Sequence, residues 1–380
     1  MKNDVFLRDV VSQFAHEGTV KEIVSLGSGL INDTFKVVTA EVSAPDYVLQ
    51  RINNAIFTDV PLLQHNIECV TSHLKRKGRL TLSFIPLKSV GDLPSSLQSV
   101  SHLPSSLQSV GHGSAVTFHH DLSTDTYWRL SVFIPDTVTI EDVTPETSYD
   151  CGKAFAQFEA QLVDLPEPLG ETIPDFHNME LRLRQLQEAI AADAAGRVGE
   201  VQAILDDLLP FAEEMTKAER LHREGKLPKR ICHCDTKVNN MLFDRQGRVL
   251  CVIDIDTVMP SFVFSDFGDF LRTAANAVAE DSKDYDAIRF RMDIFKAFTR
   301  GYVEGARSFL TPLELELLPY AAALFPYMQC VRFLTDYING DTYYKIMYPE
   351  HNLVRTLNQQ RLFHEVLACQ EEMRDYINSL

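Results

Sequence analysis

The stretch His233-Cys234-Asp235-Thr236-Lys237-Val238-Asn239-Asn240, followed by Val252-Ile253-Asp254, constrains this chain more than any other. Its spacing is His-x-Asp-x-x-x-x-Asn, with a second, apolar-flanked Asp one hairpin later. Arg230-Ile231-Cys232, Met241-Leu242-Phe243 and Val249-Leu250-Cys251-Val252-Ile253 read as short buried strands around it. The fold must therefore present a polar loop between strands, its side chains at fixed offsets. Those side chains are the ones phosphoryl transfer needs, since that chemistry asks for an oriented hydroxyl and a divalent cation to neutralise charge. Asp235 can take a proton from the acceptor, and Asn240 can turn back to hold the metal. Asp254 supplies the hard oxygen ligand that Mg²⁺ prefers.

An Asp followed by an Asn is common in loops, so the weight lies in the conjunction of His233, Asn240 and Asp254 around Asp235. A decoy lies downstream. Asp266-Phe267-Gly268 spells the metal triplet of protein kinases but falls too far beyond Asn240 for one intervening hairpin. Asp254 has the right spacing, so Asp266 and Asp269 are expected to cap a helix or tie down the loop that carries Asp235.

Upstream, residues 4–16 carry helical periodicity through Val5, Leu7, Val10, Val11 and Phe14. Strands are expected at Glu22–Leu26, Thr34–Val38 and Tyr47–Ile52, then an amphipathic helix over 59–76. The turn Gly27-Ser28-Gly29-Leu30-Ile31-Asn32 between the first two strands lets backbone N–H groups approach phosphates closely. With Arg51 on the third strand and Glu68 on the helix, the region reads as a nucleotide site in which Arg51 reaches the phosphates and Glu68 holds Arg51. Leu93-Pro94-Ser95-Ser96-Leu97-Gln98-Ser99-Val100 recurs unchanged from Leu103 to Val110, and its composition predicts a flexible insert over 93–112. Val116–His119 and Tyr127–Ile134 complete a five-stranded sheet, and Pro135-Asp136 ends it. Helices dominate from there, at about 147–163, 179–193, 197–221, 264–279, 285–306, 312–339 and 351–378. The fold class is α+β, with a sheet-rich lobe over 1–135 and a mostly helical catalytic lobe over 136–380.

Composition narrows the partners. A net charge of −17, from 36 basic and 53 acidic residues, argues against non-specific nucleic-acid or anionic-membrane binding. Seven scattered cysteines form no disulfide framework, no run approaches a membrane span, and the N-terminus lacks signal-peptide character. The expectation is a cytoplasmic protein.

With these residues in hand, the chain resembles the aminoglycoside phosphotransferase superfamily of protein-kinase-like, small-molecule kinases, from about Gly27 to the C-terminus. Asn32 matches the family's loop Asn, Asp235 its catalytic Asp, and Asn240 and Asp254 its metal ligands. Cys234 stands where the superfamily often has Gly or Asn. Closer likeness is to N-acetylhexosamine 1-kinases, carried by Leu49-Gln50-Arg51-Ile52-Asn53, Ile173-Pro174-Asp175-Phe176-His177-Asn178, Arg332-Phe333-Leu334-Thr335-Asp336-Tyr337, Asn339-Gly340-Asp341-Thr342-Tyr343 and Tyr348-Pro349-Glu350-His351-Asn352-Leu353. That resemblance implies a two-lobed kinase-like fold, ATP and Mg²⁺ as cofactors, and the anomeric hydroxyl of GlcNAc or GalNAc as acceptor. The reading of the residues has Gly27, Gly29, Asn32 and Arg51 hold the nucleotide, and the resemblance implies that Arg332 and Tyr343 contact the sugar. The competing readings are a kinase for another small alcohol, such as an aminoglycoside or choline, and a non-catalytic nucleotide-binding pseudokinase.

Overall fold

The structure is a computed structural model that describes residues 2–26, 32–88 and 116–380. The loop glycines Gly27 and Gly29 and the duplicated segment 93–112 lie outside the described residues. The chain forms two compact units, Met1–Thr137 and Val138–Leu380. Together they make an α+β, two-lobed, protein-kinase-like fold.

In the first unit, α1 (Lys2–Ser12) precedes β1 (Val20–Ser25), β2 (Asp33–Thr39) and β3 (Tyr47–Ile52). Then come α2 (Val60–Arg76), β4 (Phe118–Asp121) and β5 (Thr126–Val132). The strands form one antiparallel sheet in the order β1-β2-β3-β5-β4. Leu7, Val10, Val11 and Phe14 recur at helical spacing and bury one stripe against Val37, Tyr47, Leu49, Trp128 and Leu130. At the start of α2, Asp59 accepts from the Leu62 N–H and Pro61 sits in the first turn, so the helix begins where the sequence places it.

The second unit opens with α3 (Pro145–Leu162) and α4 (Met179–Ala192). The expected helix over 197–221 is instead a chain of short pieces, α5 (Gln202–Leu208), α6 (Ala212–Met215) and α7 (Lys217–Arg223), with Pro210 at one break. Four three- or four-residue strands follow: β6 (Arg230–Cys232), β7 (Met241–Phe243), β8 (Val249–Val252) and β9 (Met259–Ser261). They pair as β6 with β9 and β7 with β8, both antiparallel. Next are α8 (Phe264–Ala274), α9 (Met292–Ala306), α10 (Pro312–Glu316), α11 (Leu318–Ile338), α12 (His351–Ala368) and α13 (Gln370–Asn378).

Helix α11 is buried on nearly every face and forms the axis of this unit. Two close crossings depend on glycine. A Cβ at Gly268 of α8 would lie 2.5 Å from the Ala321 carbonyl oxygen of α11, and one at Gly152 of α3 would lie 2.3 Å from the Phe298 carbonyl oxygen of α9. The triplet Asp266-Phe267-Gly268 therefore sits in a packed helix, its glycine required by helix contact. Among the described residues no helix is long and apolar enough to cross a membrane. None of the seven cysteines forms a disulfide.

Candidate active site

Strand β6 delivers the chain into the loop 233–237 and β7 takes it away, so both ends of the loop are anchored. Between them the backbone is held by buried side chains of α8. Asp266 accepts from the His233 N–H through Oδ2 and from the Cys234 N–H through Oδ1, each at 2.7 Å. Its own carbonyl accepts from Thr236 Oγ1 at 2.7 Å, and Asp269 Oδ2 accepts from the Thr236 N–H at 3.2 Å. The Thr257 hydroxyl donates to the His233 carbonyl at 2.7 Å. Asp266 and Asp269 thus tie down the loop, as the sequence suggested. Cys234 takes φ +63°, a region where side chains other than Gly and Asn are strained. The two charge-assisted bonds from Asp266 to the flanking backbone oppose that strain.

Asp266 is itself supported from behind. Burial raises its pKa, and burial followed by the Asp266 charge pushes Glu159 well above the ordinary carboxyl range. Tyr302 donates its hydroxyl to Glu159 Oε2 at 2.7 Å. Burial disfavours charge on both acids at once, because two charges in a low-dielectric site are costly.

At the tip of the loop two of the sequence-predicted residues, Asp235 and Asn240, come together. The Asn240 amide donates to the Asp235 carbonyl at 2.7 Å and to Asp235 Oδ2 at 3.1 Å. That commits its amide nitrogen to Asp235 and leaves its amide oxygen as the acceptor atom. The Ile253 N–H donates to the Asn240 carbonyl at 2.9 Å, so the chain next to Asp254 is bonded directly to Asn240. Asp254 is exposed and left-handed, with φ 55° and ψ 52°. His233 spans the same region: Nδ1 accepts from the Asp235 N–H at 3.3 Å and Nε2 donates to the Ile253 carbonyl at 2.9 Å. Those two partners fix one tautomer. The oxygen set of Asn240 and Asp254 suits a small, hard cation such as Mg²⁺.

Lys237 is the residue that spacing alone did not single out. Its ammonium lies 2.7 Å from Asp235 Oδ1. Burial works to raise the Asp235 pKa, but the Lys237 charge and the Asn240 hydrogen bond outweigh it, and the carboxyl ends below its ordinary value. The signal was available, since Lys237 lies two residues past Asp235 inside the same octapeptide.

A pocket of about 470 Å³ opens between α4 and the end of α11, and Arg332 and Tyr343, the residues the resemblance assigns to the acceptor, both line it. Tyr343 is 62% exposed and meets Tyr344 edge-on at 4.8 Å. A second guanidinium, Arg182, lines the same pocket and escaped the sequence reading. It donates to the carbonyls of Asp175 and Phe176 at 3.2 and 2.6 Å. Burial and then the like charge of Arg332 lower its pKa to about 10. Neither arginine makes an ion pair among the described residues. The Arg332 guanidinium lies 5.3 Å from the Phe176 ring, and Phe176 packs against Cys232, Cys234 and Met259. One aromatic side chain thus connects the pocket wall to the strand and loop that carry Asp235.

The remaining predicted residues belong to the first unit. Gly27 and Gly29 are outside the described residues. Asn32 is buried, and its Oδ1 accepts from the Asn53 N–H at 3.0 Å. The expected pairing of Glu68 with Arg51 is corrected. Arg51 pairs with Asp33 at 3.3 Å, the residue directly across from it on β2, because cross-strand neighbours meet before a helix residue does. Glu68 instead accepts from the Thr117 hydroxyl, and burial raises its pKa.

Comparison with solved structures agrees with this fold. The chain is similar to an aminoglycoside phosphotransferase from Alicyclobacillus acidocaldarius, with 14% identity, a TM-score of 0.60, and 98% of this chain and 96% of that one covered. It is similar to the amicoumacin kinase hAmiN, with 12% identity, a TM-score of 0.56, and coverage of 98% and 93%. It is also similar to a choline kinase from Streptococcus pneumoniae, with 13% identity, a TM-score of 0.55, and coverage of 96% and 98%. At these identities the likeness speaks for the fold. The sequence profile of the phosphotransferase enzyme family (APH) matches residues 22–305, which spans the β-sheet, the Asp235 loop and α9. The chain belongs to the phosphotransferase enzyme family.

Proposed function

We propose that the protein transfers the γ-phosphoryl group of ATP to the anomeric hydroxyl of an N-acetylhexosamine, GlcNAc or GalNAc. The observation that carries the acceptor class is the pair of guanidinium groups on the pocket wall. Arg182 and Arg332 face one pocket without a carboxylate partner among the described residues. Of the two acids on the pocket wall, Asp336 spends its oxygens on backbone N–H groups and Asn352, and Glu188 is exposed to solvent, so neither pairs with an arginine. Choline and aminoglycosides are cations, and a like charge at about 4 Å costs ~4 kcal/mol at an effective dielectric near 20. Neutral N-acetyl sugars avoid that cost. Their acetamide oxygen and hydroxyls accept from guanidinium forks, and an aromatic face such as Tyr343 covers the apolar side of a pyranose.

In this reading Asp235 accepts a hydrogen bond from the acceptor hydroxyl and receives its proton as the phosphoryl group moves. Lys237 and Asn240 hold the carboxylate in one orientation, and His233 and Asp266 hold the backbone beneath it. Asn240 and Asp254 would hold Mg²⁺, whose contribution when bound is to neutralise charge on the phosphates. The first unit would hold the nucleotide through residues 27–32, Asn32 among them, and Arg51. Similar folds support the cofactor reading: hAmiN was solved with AMP-PNP and Ca²⁺, and a spectinomycin phosphotransferase with ADP. Seven thiols without a disulfide suit a cytoplasmic location.

An ADP-release panel tests the acceptor class. GlcNAc and GalNAc should turn over, while glucosamine, choline and ethanolamine at pH 7 should fall behind by roughly two to three powers of ten in kcat/KM. Faster turnover of the amines would overturn the assignment.

A further inference from the structure

Helix α11 ends against a reversal of the chain, residues 339–344, that carries Tyr343 and Tyr344 to the pocket wall. Gly340 and Asp341 make the reversal with φ +87° and +61°, and the Asp341 N–H returns to the Asp336 carbonyl at 2.8 Å. Beyond that point the backbone has no regular secondary structure to hold it. What holds it is one carboxylate. Asp336 is 4% exposed, and its Oδ1 accepts from the N–H groups of Thr342 and Tyr343 at 2.9 and 2.8 Å. Its Oδ2 accepts from the Tyr344 N–H and from Asn352 Nδ2, both at 2.9 Å.

Three successive N–H groups converging on an anion form a nest of the kind that usually captures a ligand. Here the protein supplies the anion. The placement is against local preference, because a carboxylate in the last turn of a helix faces the negative end of its dipole. The three backbone donors are what make that position tenable. Asn352 also donates to Asp341 Oδ1 at 2.8 Å, and Arg197 pairs with Asp341 Oδ2 at 2.6 Å, so the reversal is pinned on both sides.

We propose that Asp336 is a positioning residue for acceptor binding. It sets the backbone of 342–344 and so aims Tyr343 and Tyr344 into the pocket, without touching the acceptor itself. A carboxylate offers about four lone-pair sites, and four donors already occupy those of Asp336. Although Asp336 lines the pocket, it has no acceptor capacity left for a ligand. This inference rests on the reading that the pocket takes the acceptor.

The test is Asp336→Asn, in which an amide N–H₂ must face a backbone donor. Acceptor KM should rise at least tenfold while nucleotide KM stays within twofold. Hydrogen–deuterium exchange of the peptide spanning 339–348 should lose protection, while the peptide spanning 230–243 keeps it. Unchanged protection at 342–344 would overturn the proposal, and so would equal changes in both KM values. A raised acceptor KM with protection intact would mean direct contact and would overturn it too. If Asp336→Asn does not fold, Asn352→Ala removes one of the four donors and should show the same KM split, smaller; no split overturns the proposal. The exchange measurement needs no acceptor. If wild-type protein turns over no N-acetylhexosamine, the sugar assignment fails by itself, and the KM comparison runs on whichever alcohol releases ADP.

Discussion

Replacing Asp266 by Asn tests whether the loop under Asp235 is held as described. The side chain is fully buried and accepts two backbone N–H bonds at 2.7 Å. Asn keeps one oxygen and turns an amide donor toward the other N–H. The lost charge-assisted bond is worth about 1.5–3 kcal/mol, and the stranded donor adds about 1–3 kcal/mol. One effect opposes this. Burial raises the Asp266 pKa, so removing its charge recovers some desolvation energy. The recovery is partial, because His233 and the two backbone N–H bonds already stabilise the Asp266 charge in the wild type. The hydrogen-bond loss wins, for a net destabilisation of about 2–4 kcal/mol. In a unit of this size that lowers Tm by roughly 5–15 °C. Displacement of Asp235 by even 1 Å should lower kcat by up to about 10²-fold. The assay is a thermal melt followed by ADP release well below Tm, with both KM values recorded. A Tm within 2 °C of wild type together with normal kcat would refute the tethering argument.

Other expectations follow from the same contacts. Asp235→Asn should fold and bind nucleotide normally but lose roughly 10²-fold or more in kcat, and near-normal turnover would remove its role as proton acceptor. Burial raises the Glu219 pKa from 4.5 to about 7, so the folded state holds a proton the unfolded chain releases. Its stability contribution is full below about 4.5 and lost as pH rises through about 7. Glu219→Gln should therefore flatten the fall in stability between pH 5 and 8 and exceed wild type by up to about 3 kcal/mol at pH 8, which parallel urea titrations can check. Gly152→Ala should cost at least about 1–3 kcal/mol in chemical denaturation, since its Cβ would lie 2.3 Å from the Phe298 carbonyl oxygen; an unchanged midpoint would contradict the close α3–α9 crossing.

What the sequence revealed was local. The antiparallel sheet, the α1 stripe and the Asp235–Asn240 spacing follow from periodicity and offsets within a few residues. The pairing of β6 with β9 was not legible, because Met259-Pro260-Ser261 is too short and too proline-marked to read as a strand. The expected helix over 285–306 begins only at Met292, since Ile288 and Phe290 are buried in extended chain and Phe290 bridges to Asn276. The expected helix over 312–339 breaks at Leu317 rather than at Pro326, which α11 carries in its interior. At the site, the contact of Asn240 with Asp235 was legible because the two share one short segment. Arg182, Asp336 and Asn352 were not, because their roles exist only once helices far apart in sequence meet. The Arg51–Glu68 pairing failed for a related reason: Asp33 lies opposite Arg51 across the sheet, a register that residue spacing does not encode.

The most direct test of the account is the identity of the product. Asp235 is fixed by its loop, so in the proposed function the orientation of the sugar against Arg332 and Tyr343 would select which hydroxyl reacts. GlcNAc or GalNAc incubated with the enzyme, ATP and Mg²⁺ should yield an ester that lacks a reducing end and is cleaved by mild acid. An anomeric phosphate leaves through an oxocarbenium-like transition state that a 6-phosphate has no access to. A product that still reduces copper and survives the acid would contradict the assignment of the anomeric hydroxyl.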